Sequence, residues 1–329
     1  MIKKFFTSIL FSLTICNSAY SAEDGILYLT VNTSGKKVSI EAKLDEKSKK
    51  FIINEDSEIT KSNFKSILEK LNKWDLGKKY LDNNLAQYEE SIFHPISAML
   101  DESNQVHFVL DKGSFSFALD LIPFKGEPLF LQRPTSFSSK PLNVVTDYKF
   151  NPEGLGLTIK DKTTDPEKAS LLLSKLMPKT VNYKMENITK AHLALTNDLD
   201  TALISLHGIA SDDEAYMQLN DEELYSDDIV KLNSKLLYLD SCQMGSSFNF
   251  AEHVSKSANQ FIIAPLFDNE AGSSSTLTIH SFFTQLSHGS TPVDAMYRTR
   301  KSLFEKYSKA YDFKKAIWKA YPFRVIQSN

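Results

Sequence analysis

The chain has little cysteine, tryptophan or glycine: 2, 2 and 11 residues in a length of 329. The first cysteine, Cys16, falls in a segment laid out as an export signal, so the mature chain is expected to keep Cys242 alone. One cysteine forms no internal disulfide, and it cannot supply the thiolate sets of zinc or iron–sulfur centres. The seven histidines are scattered, with no His-x-x-x-His or His-Glu-x-x-His among them, so no metal site is expected. The sparse glycines form no phosphate-cradling loop and no Gly-x-Ser-x-Gly elbow, so no cofactor is expected. Lysines are interleaved with acids and no basic block stands out, which argues against nucleic acid as a partner. No stretch after the signal is long and apolar enough to span a bilayer, which takes about 20 residues.

Residues 1–21 carry Lys3 and Lys4, then an apolar stretch from Phe5 to Ile15. Ala19 and Ser21 stand at the −3 and −1 places of a cut before Ala22, the layout of a cleaved secretory signal. A lipid anchor at Cys16 is disfavoured by Ile15, where a lipobox wants a small residue. The mature protein is therefore expected to be exported, periplasmic or secreted, without membrane insertion. Losing Lys3 and Lys4 takes the formal charge from −3 to −5. The remaining length suits one large α/β domain or two small ones.

Residues 25–54 alternate as strands, broken at Asn32-Thr-Ser-Gly and Asp45-Glu-Lys-Ser. Residues 61–100 have helical spacing through Phe64, Ile67, Leu68 and Leu71. Val106–Leu110, Phe115–Ile122 and Leu142–Thr146 are strand candidates. Asp165-Pro166-Glu167 reads as the opening of a helix that carries the stripe Ala169, Leu172, Leu173 and Leu176. Beyond it strands and helices alternate: strands at 201–206, 236–240, 261–266 and 323–326, helices near 187–197, 226–233, 247–258, 275–287 and 292–307. That order implies a largely parallel sheet covered on both faces. The expected organisation is a signal at 1–21, a β-rich extension at 22–60 and one domain at 61–329.

Two of these strands stop at reactive side chains. Thr201-Ala-Leu-Ile-Ser-Leu ends at His207-Gly208, and Lys235-Leu-Leu-Tyr-Leu ends at Asp240-Ser241-Cys242. A right-handed crossover would place such strands side by side or one apart, with both residues on one sheet edge. There an imidazole could generate thiolate and later protonate an amine leaving group. The amides of Gly208 and Cys242 could form an oxyanion hole. The bland readings stand beside these: Cys242 as a buried hydrophobe, His207 as a satisfied polar residue. The other histidines read as structural.

His-Gly after one strand and Asp-Ser-Cys-x-x-Gly after the next resemble the caspase-related cysteine peptidases, most closely the CHAT domain, here without a tetratricopeptide array. Val106-His-Phe-Val-Leu-Asp-Lys-Gly with Ile122-Pro-Phe is similar to that family's early hairpin, and Glu167-Lys-Ala-Ser-Leu-Leu-Leu to its helix before a variable hairpin. Ile262-Ile-Ala-Pro-Leu-Phe267 is similar to its strand after the cysteine. Phe282-Phe-Thr-Gln-Leu-Ser-His-Gly289 and Val293-Asp-Ala-Met-Tyr-Arg-Thr-Arg-Lys are similar to its closing helices, and Trp318-Lys-Ala-Tyr-Pro-Phe to its final strand. The resemblance spans about residues 80–327.

It implies a caspase-like three-layer α/β sandwich with a mostly parallel sheet, and peptide-bond hydrolysis through an acyl-enzyme. Cys242 would be the nucleophile, His207 the base and acid, and the backbones of Gly208 and Cys242 the oxyanion site. Phe267 stands where the family usually has Trp at the pocket rim, and Asp268 follows it as a further candidate pocket residue. The family commonly reads Ser-Ala-Cys. Asp240 instead resembles the metacaspase and clostripain-like acid two residues before the nucleophile, which binds a basic P1 side chain; the alternative is that it caps the loop or pairs internally. Expected partners are a protein or peptide substrate, with a regulatory protein left open. The competing reading is a non-catalytic caspase-like binding module that recognises a protein partner. Transpeptidation by the same acyl-enzyme is a second enzymatic alternative.

Overall fold

The computed structural model of the chain describes residues 25–328, apart from 195, 197, 212, 213 and 258. The signal segment, its cut before Ala22 and Cys16 lie outside the described residues.

The strands are β1 (Ile26–Asn32), β2 (Lys37–Leu44), β3 (Lys47–Asp56), β4 (Gln105–Leu110), β5 (Pro123–Phe124), β6 (Glu127–Pro128), β7 (Thr135–Ser138) and β8 (Gly156–Lys160). They continue as β9 (Thr180–Lys184), β10 (Thr201–Ser205), β11 (Gly208–Ala210), β12 (Ala215–Leu219), β13 (Glu222–Leu224), β14 (Leu236–Leu239), β15 (Phe261–Pro265) and β16 (Phe323–Gln327). Eleven of them form one sheet in the order β3-β2-β1-β4-β7-β16-β15-β14-β10-β8-β9. Neighbours from β1 to β16 run parallel, as do those from β15 to β9. The two blocks meet at the antiparallel β15–β16 pair.

β10, β14, β15 and β16 are buried along their whole length. That is why they read as continuous apolar runs rather than as an alternation. Successive residues face different layers. Leu203 and Tyr238 pack with Phe282 and Phe283, while Ile204 and Leu239 pack with Phe250 in the opposite layer. The result is the α/β sandwich expected from the sequence, helices on both faces of a mostly parallel sheet. β1–β3, the expected extension, continue this sheet through the parallel β1–β4 pairing.

Helix boundaries follow their caps. Asp56 accepts from the Glu58 amide (2.9 Å) at the start of the Ser57–Asn72 helix. Thr291 accepts from the Asp294 amide (3.2 Å) ahead of Pro292. Among the described residues no helix is long and apolar enough to cross a membrane.

Several sequence expectations fail locally. Phe115–Ile122 is no strand: Asp111 gathers the amide and hydroxyl of Ser114 (2.9 and 2.7 Å), and the chain turns into a 3-10 helix at Leu119–Leu121. Leu142–Thr146 makes no ladder; the Val144 amide donates to the Tyr28 hydroxyl and the Val145 amide to Gln327. Asp165 does bind backbone amides, those of Ala169 and Ser170, but it closes a turn. Lys168 sits at φ 60°, so the helix begins only at Leu171 and ends at Leu176. Trp318 lies on a helix, Phe313–Ala320, and the final strand starts at Phe323.

Candidate active site

β8, β10 and β14 are parallel neighbours that end at one edge. Cross-strand bonds persist to that edge, from the Asp161 amide to the Ser205 carbonyl (2.9 Å) and from the Asp240 amide to the Ile204 carbonyl (2.8 Å). The three strand ends therefore deliver Asp161 and Thr163, then His207, then Asp240 to Cys242, as an open parallel sheet presents functional groups. The side-by-side placement expected for the His207 and Cys242 strands is what the fold shows.

The His207 side chain is 61% exposed, and its Nε2 lies 2.8 Å from the Thr163 hydroxyl and 3.7 Å from Asp161 Oδ2. The Thr163 hydroxyl donates to Asp161 Oδ2 at 2.6 Å, so its lone pair faces the ring and accepts from Nε2–H. This arrangement assigns the ring proton to Nε2 and leaves Nδ1 as the basic nitrogen.

Gly208 opens the β11-β12-β13 hairpin. Its partner is Met217, and the flanking bond from the Gln218 amide to the His207 carbonyl (2.8 Å) makes this a non-hydrogen-bonded pair. The Gly208 amide is thus outside the ladder, on the edge away from β12. A methyl group at Gly208 would lie 2.6 Å from the Cys242 carbonyl oxygen and 3.0 Å from the Cys242 amide nitrogen. Only glycine permits this approach, which brings the two amides of the expected oxyanion site together.

Cys242 is the free cysteine among the described residues, partly buried. Its sulfur lies 3.9 Å from the Asn269 carbonyl oxygen, and no hydrogen bond joins it to the His207 ring. Burial pushes the thiol up to about 11, helped by the nearby carboxylates of Asp268 and Asp240. The resting side chain is a neutral thiol. The loop behind it is tightly held. Gln243 is left-handed (φ 60°), and its amide donates to Asp268 Oδ1 at 2.8 Å. A side chain at Gly245 would strike the Ala264 carbonyl, and the Gly245 carbonyl accepts from the buried Arg324 Nε at 2.8 Å.

Asp240 is 3% exposed and both its oxygens are engaged. Ser205 donates to Oδ2 (2.8 Å); Asn269 (2.7 Å) and Ser275 (2.5 Å) donate to Oδ1. Burial pushes its carboxyl up to about 6 against these bonds. The carboxyl lies beneath the nucleophile loop, closed over by Asn269. Phe267 does not stand at a pocket rim: it is fully buried and stacks toward Tyr321 (6.1 Å), because the bend after β15 turns it into the core. Asp268 faces the site, its own amide donating to Asn72 Oδ1 at 2.9 Å.

Asp161, Thr163, Ser205, Asn269 and Ser275 were absent from the sequence expectation. Ser205 carried a faint signal, a polar residue inside an apolar run two places before His207. The others reach the site only through strand order. In comparisons with known proteins, no protein-family model matches the chain and no curated protein matches it.

Proposed function

We propose that the chain is an exported cysteine endopeptidase of the caspase-like CHAT type, with a His207–Cys242 dyad. The observation that carries this reading is the contact of Gly208 with the Cys242 backbone, which joins the two strand ends around a pair of amides free of ladder bonds. Those amides suit the oxyanion of a tetrahedral intermediate, where one donor is worth roughly 2.7–4 kcal/mol.

The thiol is neutral at rest, so the proton moves during attack. His207 Nδ1 takes the Cys242 proton as sulfur bonds to the peptide carbonyl carbon. The same proton then passes to the amine as the C–N bond breaks. Water, deprotonated by Nδ1, hydrolyses the acyl-enzyme. Thr163 and Asp161 hold Nε2–H and favour the imidazolium that forms between the two transfers.

A basic P1 side chain fits Asp240, the carboxylate below Cys242. To reach it, a guanidinium would replace the Asn269 amide at Oδ1. The main-chain carbonyl of Asn269 is also the group nearest the Cys242 thiol, so the loop that covers Asp240 is the loop that rests against the nucleophile.

The competing reading, a non-catalytic binding module, is favoured by the raised thiol and the missing sulfur–imidazole bond. Labelling by a lysine-ended acyloxymethyl ketone near neutral pH separates the two. The endopeptidase should label at Cys242 far faster than the denatured chain. Cys242→Ala or His207→Ala should abolish labelling and cut peptide hydrolysis by on the order of 10³-fold or more. Labelling no faster than that of a denatured thiol would leave the binding module standing.

A further inference from the structure

A second feature adjoins the Cys242 loop at Gln243. Asp268 and Asn269 reach in different directions: Asn269 to Asp240, Asp268 to Gln243 and, through its amide, to Asn72 of the Ser57–Asn72 helix. Asn72 and Gln243 belong to the wall of a cavity of about 450 Å³. Its lining includes Lys61, Lys65 and Lys112, with Glu69 as the one acid, over apolar side chains such as Phe117. Lys61 is paired with the exposed Glu58 (2.8 Å), which leaves the wall cationic through Lys65 and Lys112.

Ala210 of β11 lies on the same wall. Its partner is Ala215, and the flanking bond from the Ser211 amide to the Glu214 carbonyl (2.7 Å) makes this another non-hydrogen-bonded pair. The amides and carbonyls of Gly208 and Ala210 therefore share the edge of β11 turned away from β12. The wall offers a main-chain donor and acceptor at Ala210 and lysine amines over an apolar floor, and the amide of Gly208 lies two residues away on the same strand edge.

We propose that this cavity is a substrate subsite that takes an acidic side chain of an extended peptide, whose backbone pairs with the free edge of β11. The proposal rests on the peptide-cleaving reading of the site. Main-chain pairing supplies affinity, and the flanking pocket selects the side chain. The lysines supply charge complementarity, and the apolar floor accepts the methylenes of glutamate.

The test uses fluorescein-labelled dodecapeptides of alanine, serine and glycine with one central arginine, in which Glu, Gln or Lys is scanned through the flanking positions. Binding is read by anisotropy with the Cys242→Ala protein, and cleavage with the native protein. At one position Glu should bind roughly tenfold more tightly than Lys, the scale of one or two screened ion pairs. The preference should vanish in K61Q/K65Q/K112Q and fade at about 0.5 M salt, where screening acts within roughly 4 Å. If no peptide binds, if Glu and Lys peptides bind alike, or if the triple variant keeps the preference, the subsite is overturned, even where the native protein cleaves. A lysine-dependent preference for Glu without cleavage sustains the subsite and sinks the endopeptidase reading instead.

Discussion

The two parallel blocks of the sheet both bury polar groups, and they treat them differently. In the β1–β16 block the largest polar groups are enclosed and paired, with the Arg300 Nε left over. Arg300 donates to Asp120 (3.0 Å) and Thr135 (2.7 Å), Tyr321 donates to the same aspartate, and the guanidinium lies against the rings of Phe130 (5.2 Å) and Tyr321 (5.4 Å). His107 sits between the hydroxyls of Ser136 (2.8 Å) and Ser138 (2.9 Å). In the β15–β9 block Asp240 is enclosed and paired in the same way, but the groups around it stand open at strand ends. Among the described residues these have free capacity: two amides without ladder partners, a thiol with only a distant carbonyl, an imidazole with one nitrogen unbound. A matched buried group maintains the fold, whereas a group left open at a strand end is available to a substrate.

Breaking the matched pair should give the largest effect on stability. Arg300→Leu leaves Asp120 buried without its cation and is expected to cost about 3–5 kcal/mol of unfolding free energy. The double variant Asp120→Asn with Arg300→Met should recover part of that loss. Cys242→Ala should change stability by no more than about 1 kcal/mol. Urea unfolding of the four proteins checks the contrast; equal losses in Arg300→Leu and Cys242→Ala would erase the distinction between the blocks.

His107 makes the enclosed region sensitive to acid. Burial holds its imidazole down to about 3, against 6.5 for the free group, so the folded state keeps it neutral. Above pH 6.5 both states are neutral and the group contributes no pH dependence. As the pH falls below 6.5 the unfolded chain takes up a proton that the folded chain refuses, so stability is lost. Between pH 7.5 and 5 that loss is about 2 kcal/mol. Unfolding free energies across this range should fall in the native protein and flatten in His107→Gln. A slope unchanged by the substitution would place the acid sensitivity elsewhere.

Asp240 is shifted in the opposite direction, and there acid acts on binding. Its carboxyl is pushed up to about 6, so it is mostly ionised at neutral pH and neutral below 6. If it holds a basic P1 side chain, KM for arginine-ended peptides should rise roughly tenfold from pH 7 to 5. Asp240→Asn should have a high KM across the range. A KM independent of pH, with activity otherwise present, would return Asp240 to a purely structural role.

How much of this was legible depends on what each feature requires. β10, β14 and β15 announce themselves because burial on both faces demands unbroken apolar runs, and the runs stop where the reactive residues begin. Asp165 was legible by type as a residue that binds amides, but that it closes a turn rather than opening a helix depends on the left-handed Lys168. β7, read Thr-Ser-Phe-Ser, is fully buried yet polar, because its serines exist to bind His107 from the next strand. β9 and β11–β13 are short and half exposed and carry no strong period. Phe115 and Phe117 alternate as a strand would, but Asp111 turns the chain first. Asn269 and Thr163 depend on contacts across 29 and 44 residues, which no local pattern encodes.

Thr163 gives the finest test of the contrast, because it belongs to the open block yet is matched on both sides. Its hydroxyl accepts from His207 Nε2 and donates to Asp161. Thr163→Val keeps the shape and removes both bonds. The imidazole then loses its fixed tautomer and the support of its cationic form, while substrate contacts are untouched. The expected result is a fall in kcat of roughly tenfold, with KM nearly constant and the limb of the pH–rate profile set by His207 displaced to lower pH. Thr163→Ser restores the hydroxyl and should restore the profile. Stability should move by no more than about 1 kcal/mol in either variant, since the bond lies at the exposed edge. If Thr163→Val instead raises KM or destabilises the fold without shifting the pH profile, Thr163 belongs with the enclosed groups and His207 is oriented by something else.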